Sequence, residues 1–431
     1  MNRGKDAPEH QNESHQSYKG RALKVAVGSI VMTAVSVGTY MSIPVYLLPI
    51  SELTGSSVGQ VTLFFSVAAI VSLLSSLFFG TLLKTLGIKV LATIAGVALA
   101  AFFIILSFTD NIIVVYIASI PYGFATVGGG YAASQTCITW WYPKGTAKII
   151  SFITVGVGIV AFILSPLLAS SIAGLGIGIT AFAEGVGGGI IMILCALFLL
   201  AERPEVYGFA TGSSDQAAPE GQIVEETASQ SATKGPSNSG NSGNVLRVPQ
   251  FWIIFLAGLL ATTAMTGFAN NASPFYQTIG CDPVQAAMGI SVFNIAALAW
   301  APLFGALVDK KGPGVGTLVC GGIGVVALLA ATLITGFMGA MIVAAMVSSL
   351  NLAVMLGSVT YPRVFGTKEA GTLIGFANAA GSVGGIIGPP LAGFMFDAMD
   401  SYSPFMFVAG ALMVICILLI IIGSRRTLIS D

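Results

Sequence analysis

The sequence predicts an all-α integral membrane protein: twelve transmembrane helices in two pseudo-symmetric six-helix bundles. Three observations predict it. Hydrophobic residues make up 55% of the 431 and charged residues only 8%, against roughly 25% charged in a soluble domain. The apolar residues gather in twelve runs, each near the ~20 residues that cross a bilayer, and no soluble core would hide twelve such runs in series. The two halves of the chain also repeat one another at an offset of 225 residues, as from Gly80 to Gly305.

Taken in order, residues 1–21 are a polar tail that holds both histidines, His10 and His15. With no apolar centre and no small-residue cleavage site, it reads as disordered rather than as a signal peptide. Six runs follow within 22–201, at 22–49, 58–83, 88–108, 112–140, 147–171 and 178–201. Residues 202–249, with SQSATKGPSNSGNSGN at their centre, cannot bury enough apolar surface to order themselves. They are expected to form a flexible linker, the alternative being a regulatory or partner-binding segment. The second bundle, 250–424, holds runs at 250–278, 284–308, 314–335, 338–361, 370–396 and 403–423, before a short tail, 425–431. The 53 glycines suit helices that touch closely in lipid.

Charge fixes the expected orientation. All 18 lysines and arginines fall in the amino terminus, the even-numbered loops and the carboxyl terminus. The odd-numbered loops hold only acids: Glu52, Asp110, Asp282, Asp397 and Asp400. Basic loops stay in the cytoplasm, so both termini are expected there, in a multi-pass protein of the plasma or inner membrane. A formal net charge of zero gives no ground for nucleic-acid binding. The five scattered cysteines lack C-x-x-C spacing, so neither a metal site nor a disulfide framework is expected.

The repeat centres on Gly305–Gly314, GALVDKKGPG, with a degenerate copy at Gly80–Lys89, GTLLKTLGIK. The same register pairs Gly55 with Gly280, Gln60 with Gln285 and Ser66 with Ser291. The pattern G-x-L-x-D-K-x-G resembles the signature loop of the major facilitator superfamily of transporters. That resemblance implies a cytoplasmic gating loop built from Gly80, Gly87, Gly305, Asp309, Lys310, Lys311 and Gly312, the bland alternative being a solvated loop that anchors topology. Lys84 stands where the family usually has an acid. A second stretch, from Gly128-Gly129-Gly130-Tyr131 to Trp140-Trp141-Tyr142-Pro143-Lys144-Gly145-Thr146-Ala147, resembles the oxalate/formate antiporter family and, more distantly, the monocarboxylate transporters. Gly38-Thr39-Tyr40, Arg203-Pro204-Glu205 and Phe365-Gly366-Thr367 agree with it. Physically, the Trp140–Trp141–Tyr142 cluster also suits a lipid–water boundary. Gly384, Gly388, Pro389, Pro390 and Gly393 in the eleventh run, with Ser165-Pro166 in the fifth, read either as a pliable helix pair or as static packing.

Solute sites in such folds lie at mid-bilayer between the halves. The polar candidates at that depth are Tyr40, Gln135, Asn271, Tyr276, Asn294, Trp300, Asn351 and Asn378, with Thr39 and Asn270 beside them. Each could instead bond a neighbouring helix. No lysine, arginine, histidine or aspartate lies at a helix centre. In the oxalate/formate family an arginine and a lysine grip the carboxylates; Ala301 stands at the arginine's place, and Asn378 near the lysine's. A dicarboxylate without those cations would be costly to bury, so a neutral or singly charged solute is expected. Glu184, near the outer end of its helix, reads as a lipid-interface or loop residue ahead of a proton-coupling one.

The expected function is secondary transport of a small organic solute, a monocarboxylate-type anion by resemblance, through alternating access. The alternative is an exporter of drugs or amphipathic neutral metabolites. A membrane sensor lacks any attached signalling domain. Enzyme chemistry and ATP-driven pumping lack a catalytic set and a phosphate loop. No cofactor is expected. The expected partners are a small-molecule substrate and the lipid bilayer, with the chain working as a monomer.

Overall fold

The computed structural model describes residues 7–142, 145–207, 209, 248–365 and 370–424. Its regular elements are helices, with no strand among the described residues. The amino-terminal half comprises α1 (Ala7–Ser42), α2 (Leu47–Thr54), α3 (Val58–Phe108), α4 (Ile112–Gly128), α5 (Tyr131–Trp141) and α6 (Thr146–Leu194). The carboxy-terminal half comprises α7 (Pro249–Asn270), α8 (Ala272–Thr278), α9 (Pro283–Lys311), α10 (Pro313–Ala331), α11 (Gly336–Val347), α12 (Leu352–Phe365), α13 (Ala370–Met399) and α14 (Ser403–Gly423).

Among the described residues, ten helical spans are long and apolar enough to cross a membrane. Two of them, Val58–Phe108 and Lys148–Leu199, run 51 and 52 residues. At 1.5 Å per residue each would reach about 75 Å, more than twice the ~30 Å apolar layer of a bilayer. Each is broken at one glycine: Gly87 has φ 76° and ψ 165°, Gly176 φ 82° and ψ 164°. That backbone region is essentially closed to residues with a Cβ. The twelve apolar runs thus correspond to ten continuous spans, two of which turn at a single residue.

The repeat read from the sequence is carried by matching local devices. Gly87 has its counterpart in Gly312 at φ 85° and ψ 166°, between α9 and α10. Gly55 and Gly280 both take positive φ, 63° and 95°. Each precedes a reciprocal helix cap: Ser57 with Gln60 at the start of α3, Asp282 with Gln285 at the start of α9. The chain is interrupted at four repeat-related places, two in each half. Residues Ile43–Tyr46 form a 3₁₀ turn after α1, Gly129 and Gly130 separate α4 from α5, Asn271 separates α7 from α8, and Ser348–Asn351 form a 3₁₀ turn after α11.

The halves meet where α3 packs on α13 and α6 on α9. The Ser66 hydroxyl donates to the Ile386 carbonyl at 2.6 Å, and its repeat partner Ser291 donates to the Phe162 carbonyl at 2.6 Å. At the end that carries the acidic loops, the Gly59 N–H donates to Asp397 Oδ2 at 2.8 Å. Backbones touch there: a Cβ on Gly393 would lie 2.8 Å from the Gly59 Cα. The five cysteines are free and buried, in keeping with their reading as small core residues.

Two expectations need correcting. The leader is not wholly a tail, because α1 begins at Ala7. Extending an existing helix avoids a new nucleation step, and residues 7–20 include Ala, Glu, Gln and Lys, all good helix formers. The first residues of the expected linker are also anchored. Pro204–Tyr207 form a 3₁₀ turn, the Arg21 guanidinium lies 4.1 Å from the Tyr207 ring centre, and the Phe209 ring meets Tyr18 and Trp141. Aromatic rings with a cation at hand hold a polar segment that composition alone leaves free. Most of the linker (210–247), Pro143, Lys144, Gly366, Thr367, residues 1–6 and the tail 425–431 lie outside the described residues.

Candidate functional site

Small and neutral side chains shape a cavity of about 420 Å³ between the halves. It is lined from the amino-terminal half by Val37, Tyr40, Ala68, Ser72, Thr126 and Tyr131, and from the other by Thr262, Ala353, Ala377, Asn378, Gly381 and Ser382, among others. A second cavity of about 100 Å³ adjoins Tyr40, with Pro44, Thr266, Asn270, Asn294 and Asn351 in its wall. Tyr40 lines both, and Asn270 faces its hydroxyl. No residue lining either cavity carries a charge. Along α3 and α13 the larger cavity lies on the basic-loop side of the Ser66–Ile386 contact, and the Gly59–Asp397 contact lies beyond it at the acidic-loop end.

The structure therefore brings together four of the eight sequence candidates: Tyr40, Asn294, Asn351 and Asn378. The Asn294 amide nitrogen is buried without a partner in the structure, whereas Asn351 donates to the Ser348 carbonyl at 3.0 Å. The other four line neither cavity. Asn271 bridges three elements: its amide nitrogen donates to the Gly267 and Pro389 carbonyls, each at 3.0 Å, and Tyr402 donates to its oxygen at 3.3 Å. Burial, with Asp397 nearby, holds the Tyr402 phenol well above its ordinary value, so it stays a donor. Trp300 donates to the Ala345 carbonyl at 2.9 Å. Tyr276 is fully buried among Phe268, Phe275 and Gly289. Gln135 is half-buried on α5. In helices that are apolar on every side, periodicity does not say which face a polar residue occupies.

Sequence reasoning missed the hydroxyls of Ser72, Thr126, Thr262, Thr266 and Ser382, and Tyr131. Ser72 and Thr126 bond each other at 3.3 Å across α3 and α4. Small hydroxyls are common in membrane helices, where they bond their own helix, so only the spacing across helices could have singled these out.

Glu184 turns its carboxyl inward. Its Oε1 is buried without a partner, and its Oε2 accepts a 2.6 Å hydrogen bond from Tyr46. The carboxyl therefore faces the amino-terminal bundle, while the residue as a whole is half-buried. The reason is the glycine run after it. A Cβ on Gly185 would lie 2.8 Å from the Phe103 Cβ, and one on Gly189 2.7 Å from the Ala100 Cβ. With such close packing the short helix–helix distance draws Glu184 inward.

At the basic-loop end, Asp309 pairs with Arg363, whose other terminal nitrogen donates to the Val308 carbonyl at 2.6 Å. Lys310 and Lys311 end α9 and are exposed. Gly80 and Gly305 lie inside α3 and α9, about two turns before the positive-φ glycines Gly87 and Gly312.

This architecture has recognisable relatives. The sequence model of the Major Facilitator Superfamily matches residues 28–362. Over 284 residues the chain is 23% identical to the oxalate:formate antiporter of Oxalobacter formigenes, a match covering 66% of this chain and 62% of that protein. The chain thus aligns with somewhat less than two thirds of that relative's length. Among solved structures it is similar to a bacterial homolog of the human lysosomal transporter Spinster, in an inward-facing and unoccupied conformation (TM-score 0.68, 15% identity, 94% of this chain and 95% of that one). It is also similar to a mutant of the nucleoside transporter NupG (TM-score 0.71, 12% identity, 94% and 100%). With two repeated halves around a neutral central cavity and a family match over more than half its length, the chain belongs to the major facilitator superfamily of transporters.

Proposed function

We propose that this protein is a secondary transporter that moves a small organic solute, neutral or singly charged and of the monocarboxylate type, across the cell membrane by alternating access. The observation that carries the reading is the uncharged cavity between the halves, which meet at its acidic-loop end through Gly59 and Asp397. Its hydroxyls and amides offer hydrogen bonds to one carboxylate or to a neutral polar molecule. With no lysine or arginine in its wall, a dicarboxylate would have to shed its hydration without compensation. Tyr40, Asn294, Asn351 and Asn378 are the contacts we assign to the solute.

In this reading twelve crossings place the termini and basic loops in the cytoplasm, following the positive-inside rule, and the state described is inward-facing. The Asp309–Arg363 pair and the turns at Gly87 and Gly312 belong to the cytoplasmic gate, with Gly80, Gly305, Lys310 and Lys311 beside them. The 23% identity to an antiporter supports exchange as the mode. A second reading, export of an amphipathic neutral metabolite, is favoured by the alanines, glycines and two tyrosines of the wall.

Counterflow in proteoliposomes tests both. Labelled small monocarboxylates are expected to exchange, and Asn378→Ala or Tyr40→Phe to weaken exchange several-fold. Dye efflux without monocarboxylate exchange moves the assignment to the second reading. Oxalate exchange as tight as that of any monocarboxylate would overturn the charge argument.

A further inference from the structure

One ionisable group turns its carboxyl into the amino-terminal bundle and has no part in the cavity. Glu184 sits on α6, eight residues past the break at Gly176, or about 12 Å down the helix. Among the described residues no lysine, arginine or histidine pairs with it; the single ion pair is Arg363 with Asp309. Its surroundings are aromatic. Tyr46 is fully buried against Phe103 at 6.0 Å between ring centres. Tyr122 is fully buried, stacked on Phe102 at 4.5 Å, and close enough to feel the Glu184 charge.

The polar atoms here are incompletely matched. Glu184 Oε2 accepts from Tyr46, while Glu184 Oε1 and the Tyr122 hydroxyl are buried without partners. Tyr122 lies beside Thr39, and Tyr40 stacks over Tyr122 at 6.2 Å while facing Asn270. A file of polar groups on α6, the 3₁₀ turn, α4 and α1 thus leads from Glu184 to the wall of the cavities. Glu184, Tyr46 and Tyr122 are its titratable members near the carboxyl, with Tyr40 beyond; the α3 side of the pocket contributes Phe102 and Phe103.

Tyr46 also ends the interrupted segment Ile43–Tyr46, which packs against α7, α8 and α9 of the other half. Pro44 of that segment lies in the wall of the smaller cavity with Asn270 and Asn294. The hydrogen bond from Tyr46 to Glu184 therefore holds a piece of the first span that helps to shut the acidic-loop end.

We propose that Glu184, with Tyr46, is a proton-binding site whose loading is tied to closure of the acidic-loop end. A carboxylate buried without a cation is costly in an apolar bundle. A proton from water added to its bare oxygen removes that charge and allows the arrangement seen here. Loss of the proton to water leaves a charged carboxylate that demands hydration, and the segment Ile43–Tyr46 must yield to admit it. No bond other than O–H forms or breaks. The inference rests on the transporter reading, but its test reads conformation and needs no solute, so its failure is distinct from a failure of counterflow.

The test uses the full chain in lipid nanodiscs with spin labels at Glu52→Cys and Ala398→Cys. Both sites are exposed, one in each half at the acidic-loop end, and the native cysteines are buried. Between about pH 5 and about pH 9 the label-to-label distance is expected to lengthen as pH rises. Glu184→Gln, which imitates the protonated carboxyl, is expected to stay short throughout. Tyr46→Phe removes a donor to the charged form and is expected to raise the midpoint by about one pH unit. Asp397, the other carboxylate at this seam, remains in all three proteins. A pH-invariant wild type, a Glu184→Gln profile that follows wild type or stays long, or an unshifted Tyr46→Phe midpoint would each overturn the proposal. If Glu184→Gln fails to fold, the wild-type and Tyr46→Phe profiles still decide.

Discussion

The two copies of the repeated basic loop share a backbone and differ in how their charges are arranged. At Gly312 and Gly87 the chain takes nearly the same conformation, φ 85° and 76°, ψ 166° and 165°. In the carboxy-terminal copy the acid is internal, and Asp309 holds Arg363 against the end of α9. In the amino-terminal copy Lys84 occupies the acid's place, and the carboxylate comes from Glu202, more than a hundred residues on. Its Oε1 accepts from the Lys89 N–H at 3.4 Å, where the second arm of α3 begins, and its carbonyl accepts from Trp141 Nε1 at 3.0 Å. Lys89 in turn reaches the Leu197 carbonyl at 3.4 Å. The turn is fixed by backbone geometry; the charges need only bring an anion near exposed N–H groups and a cation near exposed carbonyls, and the chain supplies them from different places.

That difference can be broken experimentally. Gly87→Ala should be the most damaging change, by about 3 kcal/mol, because the backbone strain is joined by displacement of the Glu202 carboxylate from the Lys89 N–H: a Cβ there would lie 2.7 Å from Glu202 Oε1. Gly312→Ala carries the strain alone, with nothing within 4 Å of its Cβ, and should cost about 2 kcal/mol. Thermal unfolding in detergent compares the two, and equal losses would show that Glu202 is not seated where the comparison needs it. Next, Glu202→Ala should cost about 1 kcal/mol as a lost helix-start anion and should narrow the gap between the two alanine variants in a double-mutant cycle. Asp309→Ala should cost about 0.5 kcal/mol, a half-exposed pair being worth little, and the effect should shrink in high salt. Smallest of all, Lys84→Asp should change stability by no more than about 0.5 kcal/mol, since Glu202 already serves the helix start.

Much of the fold was legible because repetition and capping are local. Offset residues Gly55 and Gly280, Gln60 and Gln285, and Ser66 and Ser291 perform paired tasks in the structure. The site was half legible. Tyr40, Asn294, Asn351 and Asn378 reach the cavities, while Asn271 and Trp300 tie helices together. In lipid both uses call for the same residue types, and a helix apolar all round carries no pattern that separates them. The inward turn of the Glu184 carboxyl was not legible, because it depends on how closely Gly185 and Gly189 let α6 approach α3, which is a property of two helices together. The anchored start of the linker escaped for a similar reason: Tyr207 and Phe209 find Arg21 and Trp141 only once the bundle is assembled.

The turns at Gly87, Gly176 and Gly312 are each one residue long. Helical arms joined so tightly have no slack between them. A tilt of one arm drags its neighbour, and a pair of arms moves as a stiff hairpin rather than as two independent rods. Large displacement is then left to the surface between the halves, where Gly59 and Gly393 meet backbone to backbone.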